Sequence, residues 1–306
     1  MKLIFSIPLF TLLGVFLATS TGCDRSQPKK TGETLSVYVV NYPLYYFASR
    51  IGGEQVEIFF PAPDNVDPAE WMPEDSVIQR YQAADLILLN GADYAGWTEL
   101  VALPTAALVH TAATIQDRFI EEEELIQHSH GPHGEHTHGG TAFTLWLDPT
   151  LAVEQARSIQ LAFSSALPQY ADLFEQRFVQ LEEELLGLDA SLKAIVGNNA
   201  ERPVFVSHPV YQYLEERYGL NAESFHWEPD EMPSDEEWRK LVQTLQSHPA
   251  QWMIWEDEPL PEIAARLQAE GIGSVVFNPT SQPPETGDFL SAMRENIQSL
   301  RIVYQD

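Results

Sequence analysis

Residues 169–196 read QYADLFEQRFVQLEEELLGLDASLKAIV. Phe174, Phe178, Leu181, Leu185, Leu188, Leu192 and Ile195 recur at steps of four and three. That spacing lays one apolar stripe along a single helix. At about 1.5 Å per residue the helix is about 40 Å long. It is long for a globular domain and could cross between two of them. An ordinary core helix or a coiled-coil seam would carry the same stripe, so the flanking sequence decides. Before it, Leu35–Val40, Val56–Phe60, Asp85–Leu89 and Ala106–Val109 read as strands, with helices at Leu44–Ile51 and Pro73–Ala83. After it, Val204–Ser207, Asn221–His226, Trp252–Trp255 and Ser274–Phe277 read as strands, with helices at Val210–Tyr218, Ser234–Ser247, Leu260–Ala269 and Asp288–Leu300. Such alternation argues for parallel βαβ units. The fold expected is α/β: two βα lobes with parallel sheets, residues 35–148 and 200–306, joined by linking helices within 149–199.

Charge excludes one class of partner. Acidic residues outnumber basic ones 45 to 17 in a chain of 306, a formal net charge of -28. Nucleic acid needs the opposite sign, so no nucleic-acid partner is expected. The negative field favours cations.

Residues 1–22 read as an export signal: Lys2, an apolar run from Leu3 to Ala18, then small residues. Ser20-Thr21-Gly22-Cys23 resembles a bacterial lipobox, in which Cys23 is lipidated and begins the mature chain. Cys23 is also the only cysteine, so no disulfide can form. The run is just long enough for an uncleaved membrane anchor, which is the alternative. Asp24 resembles an inner-membrane retention signal, and residues 23–34 read as a lipid-anchored tether. The expectation is an exported, inner-membrane-anchored lipoprotein facing the periplasm.

Residues 121–140 break the βα pattern. The segment runs from Glu121-Glu-Glu-Glu124 to Gly139-Gly140 and holds His128, His130, His133, His136 and His138, five of the chain's nine histidines. Neutral imidazoles bind transition metals well. The segment reads as a flexible loop, an accessory metal site suited to capture or buffering, since ordering it would cost entropy.

Several short motifs now fall in one order. They are Tyr42-Pro-Leu-Tyr-Tyr-Phe-Ala48 with Ile51-Gly-Gly53, Asp67-Pro68, Ala84-Asp-Leu86 with Asn90-Gly-Ala92, Trp146-Leu-Asp-Pro149, and Ser207-His208 with Tyr213-Leu214 and Tyr218-Gly-Leu220. Together with the His-rich loop they resemble the solute-binding lipoproteins of zinc and manganese ABC transporters (cluster A-I), over nearly all of the mature chain. The resemblance implies two α/β lobes on a rigid linking helix, a metal in the cleft between them, and an ABC permease with its ATPase as partners. A monomer without enzymatic activity is expected.

The family's ligands carry over in one position of four. The aligned residues are Ala69, Thr144, His208 and Asn278, and only His208 is a strong metal ligand. Three readings follow. The site is rebuilt from neighbours: Glu70 in the first loop, His226 with Glu228, Asp230 and Glu231, and Glu256 with Asp257, all beyond the carboxyl ends of strands, where α/β sheets gather ligands. The metal ligands expected are then His208, His226, Glu70, Glu256 and Asp257, with zinc foremost and manganese or iron as alternatives. In the second reading the His-rich loop is the metal site and the protein is a metal buffer or chaperone. In the third the cleft takes a metal complex against Trp71, Trp97, Trp227 and Trp255.

No Gly-x-Ser-x-Gly, Walker loop or His-Glu-x-x-His occurs. A metallohydrolase built on His208 and Glu256 is the enzymatic rival, and it would need three protein ligands and an open position. His110 and His248 read as structural or surface residues.

Overall fold

The computed structural model describes residues 34–64, 66–121, 126–129, 135–138 and 140–305. The export signal, Cys23 and most of the tether lie outside them, as do His130 and His133. Among the described residues no helix is long and apolar enough to cross a membrane.

Each lobe is one four-stranded parallel sheet. In the first, β1 (Leu35–Val39), β2 (Val56–Phe59), β3 (Leu86–Leu89) and β4 (Leu108–His110) lie in the order β2-β1-β3-β4. Between them run α1 (Tyr42–Gly52), α2 (Asp75–Gln82) and the short α3 (Trp97–Leu100). Helix α1 starts where the Asn41 side chain accepts from Leu44 N, with Pro43 in its first turn, and stops at Gly53 (φ 53°). That left-handed φ suits glycine, and a Cβ there would also meet the Arg177 guanidinium at 2.7 Å.

The second lobe holds β7 (Val204–Val206), β8 (Ala222–Ser224), β9 (Trp252–Trp255) and β10 (Gly273–Val276), in the order β10-β9-β7-β8. Read from the other edge this is β8-β7-β9-β10, the same winding as the first lobe. Helices α6 (Gln212–Tyr218), α7 (Asp235–Thr244) and α8 (Pro261–Ala269) connect the strands, and α9 (Phe289–Tyr304) closes the lobe. Ser234 and Glu237 form the capping box of α7 that their spacing calls for.

The lobes are joined by α4 (Pro149–Ala166) and α5 (Ala171–Val196). The α5 stripe is buried throughout, from Phe174 to Ile195. The helix packs on α1 and α4 on one side and on α6 and α9 on the other, so one apolar cluster runs from β1 through α5 to β7 and α9. The long helix is thus both the link and a core helix.

The described residues of the 121–140 segment depart from the loop reading. Strands β5 (Ile126–Ser129) and β6 (Glu135–His138) pair antiparallel, and Glu121 bridges to Thr141. Ile126 and Thr137 are β-branched and Gly131-Pro132 separates the strands, which is hairpin composition. The register sets His128 directly opposite His136.

Candidate metal-binding cleft

In a doubly wound sheet the crevice opens beyond the carboxyl ends of the strands, where the winding changes direction. In the second lobe that point lies between β7 and β9. His208 follows β7 and Glu256 follows β9, and Ser207 N donating to Ile254 O at 2.9 Å draws the two strand ends together. His208 Nδ1 stands 3.3 Å from Glu256 Oε1. Pairing with β7 continues past β8 through Phe225 N to Val206 O and Trp227 N to Ser207 O, at 3.0 and 2.8 Å. That carries His226 alongside, its ring 5.6 Å from the His208 ring and nearly perpendicular to it. Glu228 follows, close enough for its charge to act on His208.

The first lobe contributes the loop after β2. Asp67 Oδ1 accepts from Ala69 N at 2.9 Å, folding Asp67-Pro68-Ala69-Glu70 into a tight turn. Gln282, from the second lobe, pins this loop by donating to Pro63 O and Val66 O at 2.8 and 2.7 Å.

The electrostatics put the charged groups of the two lobes within reach of one another. Burial pushes the His208 pKa down, but the Glu256 hydrogen bond and the charges of Glu256, Glu228 and Asp67 outweigh it, and the pKa rises above 6.5. Desolvation pushes Asp67 up to about 6, against the pull of its Ala69 hydrogen bond and with further push from Glu256 and Glu70. Asp67 keeps accessible surface while protein crowds its carboxyl, which is the condition of a residue on the wall of a cleft. Each lobe's groups therefore act on the other's across the gap.

The structure thus gathers His208, His226 and Glu256 with Glu228, named beside His226 in the sequence reading though not among the expected ligands, and with Asp67, which that reading did not offer as a ligand. Both were in view: Asp67 opens the Asp-Pro turn, and Glu228 belongs to the acidic run after His226. Glu70 is exposed on the same loop, near enough to act on Asp67. Asp257 is exposed and its carboxylate accepts from Glu258 N at 2.8 Å, a turn of its own rather than the cleft. Among the described residues no three His, Cys, Asp or Glu side chains are gathered tightly enough to hold an ion as they stand.

The family positions that lack strong ligands are committed elsewhere. Thr144 is buried and its hydroxyl donates to Val210 O at 2.6 Å, a bond between lobes. Asn278 Oδ1 accepts from Thr280 N at 2.7 Å. The aromatic-pocket reading meets a plain obstacle: Trp97, Trp227 and Trp255 are core residues, at most 3% exposed, and only Trp71 has surface to offer. His248 is structural, with Nε2 at 2.9 Å from Val204 O, and His110 is exposed.

A family model described as zinc-uptake complex component A, periplasmic, matches residues 37–302. The high-affinity zinc uptake system protein ZnuA of Bacillus subtilis is 26% identical over 318 residues, 96% of either chain. The zinc-binding protein AdcA of Streptococcus pyogenes is 24% identical over 316 residues, 96% of this chain, which spans about 60% of the length of that relative. Among solved structures, the metal-dependent lipoprotein YcdH of Bacillus subtilis shares the fold, with a TM-score of 0.74 at 21% identity over 88% of this chain and 98% of that one. With most of its length matched, the chain belongs to the family of the periplasmic zinc-uptake component A.

Proposed function

We propose that the protein is the substrate-binding lipoprotein of a metal ABC import system. It captures a divalent ion in the cleft, zinc foremost with manganese or iron as alternatives, and hands it to the membrane permease, while a separate ATPase supplies the energy. Its own work is binding and delivery, not turnover. It acts as a monomer outside the cytoplasmic membrane, held there by lipid on Cys23, with residues 1–22 as the export signal and 23–34 as the tether.

The observation that carries this reading is the placement of His208, His226, Glu228 and Glu256 on one wall of the cleft and Asp67 with Glu70 on the other. Two imidazoles with carboxylates suit zinc, and a carboxylate-rich set extends to manganese and iron. An imidazole whose Nδ1 is held by a carboxylate binds a cation through Nε2, with the carboxylate fixing the tautomer and ring orientation. Glu256 does this for His208. Loading then draws the Asp67 loop toward the two histidines, the limited lobe movement that capture requires.

The ligand names of the relatives support zinc. The His-rich hairpin, with His128 opposite His136, serves as an accessory site that captures or buffers metal. Zinc and manganese titration of the chain and of His208→Ala tests the reading: loss of tight binding in the variant supports it, and unchanged binding overturns it.

A further inference from the structure

The turn after β3 reads Gly91-Ala-Asp-Tyr-Ala95. Ala92, Asp93 and Ala95 all adopt left-handed backbone, with φ of 51°, 58° and 58°, beside Gly91 at 84°. Left-handed non-glycine residues cost of order 1–3 kcal/mol each and persist only where the surroundings hold them. What this strained turn does is drive Tyr94 inward. The residue is 5% exposed, and its ring lies edge-on against Phe143 and Trp146, at 5.3 and 5.9 Å.

The Tyr94 hydroxyl is buried, and no group among the described residues hydrogen-bonds to it. Phenylalanine would fill the same aromatic corner without that cost. The charged groups that act on the hydroxyl most strongly are Asp67 and then Glu70. Topology gives the position a second meaning. The two lobes share one winding, so the turn after β3 holds in the first lobe the place that Glu256, after β9, holds in the second. Both stand at the switch point that opens into the cleft.

We propose that Tyr94 is a positioning residue of the solute site: when an ion is loaded, its hydroxyl donates to the Asp67 carboxylate and fixes the oxygen that Asp67 turns toward the ion. The inference rests on the metal-binding reading of the cleft. A hydroxyl donating to a carboxylate makes a short, charge-assisted bond. Closure of the Asp67 loop over an ion makes that bond. Loading thereby gives the buried hydroxyl a partner.

The test is Tyr94→Phe in the full chain, with Asp67→Asn and the double variant beside it. The measurements are apo thermal unfolding, Zn²⁺ affinity by chelator competition, and the visible absorption spectrum of the Co²⁺-loaded protein. Tyr94→Phe is expected to leave the apo melting temperature unchanged or raised, to weaken Zn²⁺ binding about 10- to 100-fold, the usual effect of losing a partner behind a ligand, and to alter the Co²⁺ spectrum. The double variant is expected to bind no more weakly than Asp67→Asn alone. Wild-type affinity and an unchanged Co²⁺ spectrum in Tyr94→Phe would overturn the proposal, as would a lowered apo melting temperature with fully additive losses in the double variant. If the unaltered chain binds Zn²⁺ and Co²⁺ no better than His208→Ala, the cleft reading itself falls and takes this proposal with it.

Discussion

His208 Nδ1 lies 3.3 Å from Glu256 Oε1, and the two residues leave adjacent strands on either side of the point where the second sheet changes winding. Glu256 approaches the His208 ring, the His226 ring lies 5.6 Å from it, and the charges of Glu228 and Asp67 act on it. Glu256→Gln keeps the shape but weakens the hold on the ring. Zinc affinity is expected to fall about 10- to 100-fold in that variant, against complete loss of tight binding in His208→Ala. Equal, small losses in both would show that neither touches the ion.

Acid should release the metal. Asp67, pushed up to about 6, and His208, raised above 6.5, both take up protons as pH falls through neutrality. Protons and metal compete for the same atoms. Affinity measured from about pH 7.5 down to about 5.5 is expected to drop steeply. A flat profile would contradict the ligand assignment.

The empty protein should show the opposite trend in stability. Glu215, a largely buried carboxyl on α6, shares the upward shift of Asp67 and His208: desolvation pushes it up to about 7. Each of these folded-state pKa values lies above the ordinary one. A group so shifted lends stability that is full below its unfolded pKa and lost as pH rises through the folded one. Glu215 titrates at about 4.5 when unfolded, so its window runs from there to about 7. The loss corresponds to about 3 kcal/mol. Apo melting temperature is expected to fall between about pH 5 and about pH 8. Glu215→Gln isolates this group: it gains a few degrees at alkaline pH and nothing at acid pH. Saturating zinc should restore stability at alkaline pH.

Where the second lobe meets the linking helices, Arg217 Nε lies 3.0 Å from Asp189 Oδ1 on α5 and 3.6 Å from Asp148 Oδ1 at the start of α4. Lys193 and Tyr218 complete the cluster on Asp189. Burial would raise the Asp189 pKa, but Arg217 and Lys193 hold it below the ordinary 3.8. Arg217→Ala takes one cation from two poorly exposed carboxylates, which keep Lys193 and Arg118, and a loss of about 2 kcal/mol is expected by denaturant unfolding. Zinc affinity of the folded fraction should stay as it was, because the charges that act on His208 are those of Glu256, Glu228 and Asp67 and not the cluster's. A fall in affinity without a fall in stability would place the cluster in the binding machinery instead.

Gln282 offers a test of the loop that carries Asp67. Its amide bonds to Pro63 O and Val66 O cross the lobes. Gln282→Ala removes both, at a cost of about 1 kcal/mol each. Faster zinc release in stopped-flow chelator exchange is expected, with the ligands themselves untouched. An unchanged release rate would show that the loop holds its place without this clasp.

The fold was legible in the sequence because its signal is periodic. The Phe174–Ile195 stripe and the alternation of short apolar runs with helices survive any detail of packing. Boundaries moved by a few residues, since end turns depend on caps such as Asn41 and Asp288 more than on pattern. The pairing of Ile126–Ser129 with Glu135–His138 was missed because the segment is polar and interrupted by glycine. In the candidate site, the placing of His208, His226 and Glu256 just after strands was legible. Asp257 shares that position, but neighbours in sequence point differently at a strand end, and it turned to Glu258. Tyr94 was not legible at all. Its inward course depends on left-handed backbone at Ala92, Asp93 and Ala95, which no local preference suggests. The tryptophans were ambiguous in sequence because an aromatic near a strand end serves a core as readily as a pocket.

The central claim is that the cleft, not the His-rich hairpin, holds the metal. Zinc and manganese titration calorimetry on the soluble chain from residue 24, on the same chain lacking 128–138, and on His208→Ala tests it most directly. One tight site that survives the deletion and disappears in His208→Ala is the expected result. Binding that vanishes with the deletion and ignores His208→Ala would contradict it, and would make the His-rich hairpin the metal site.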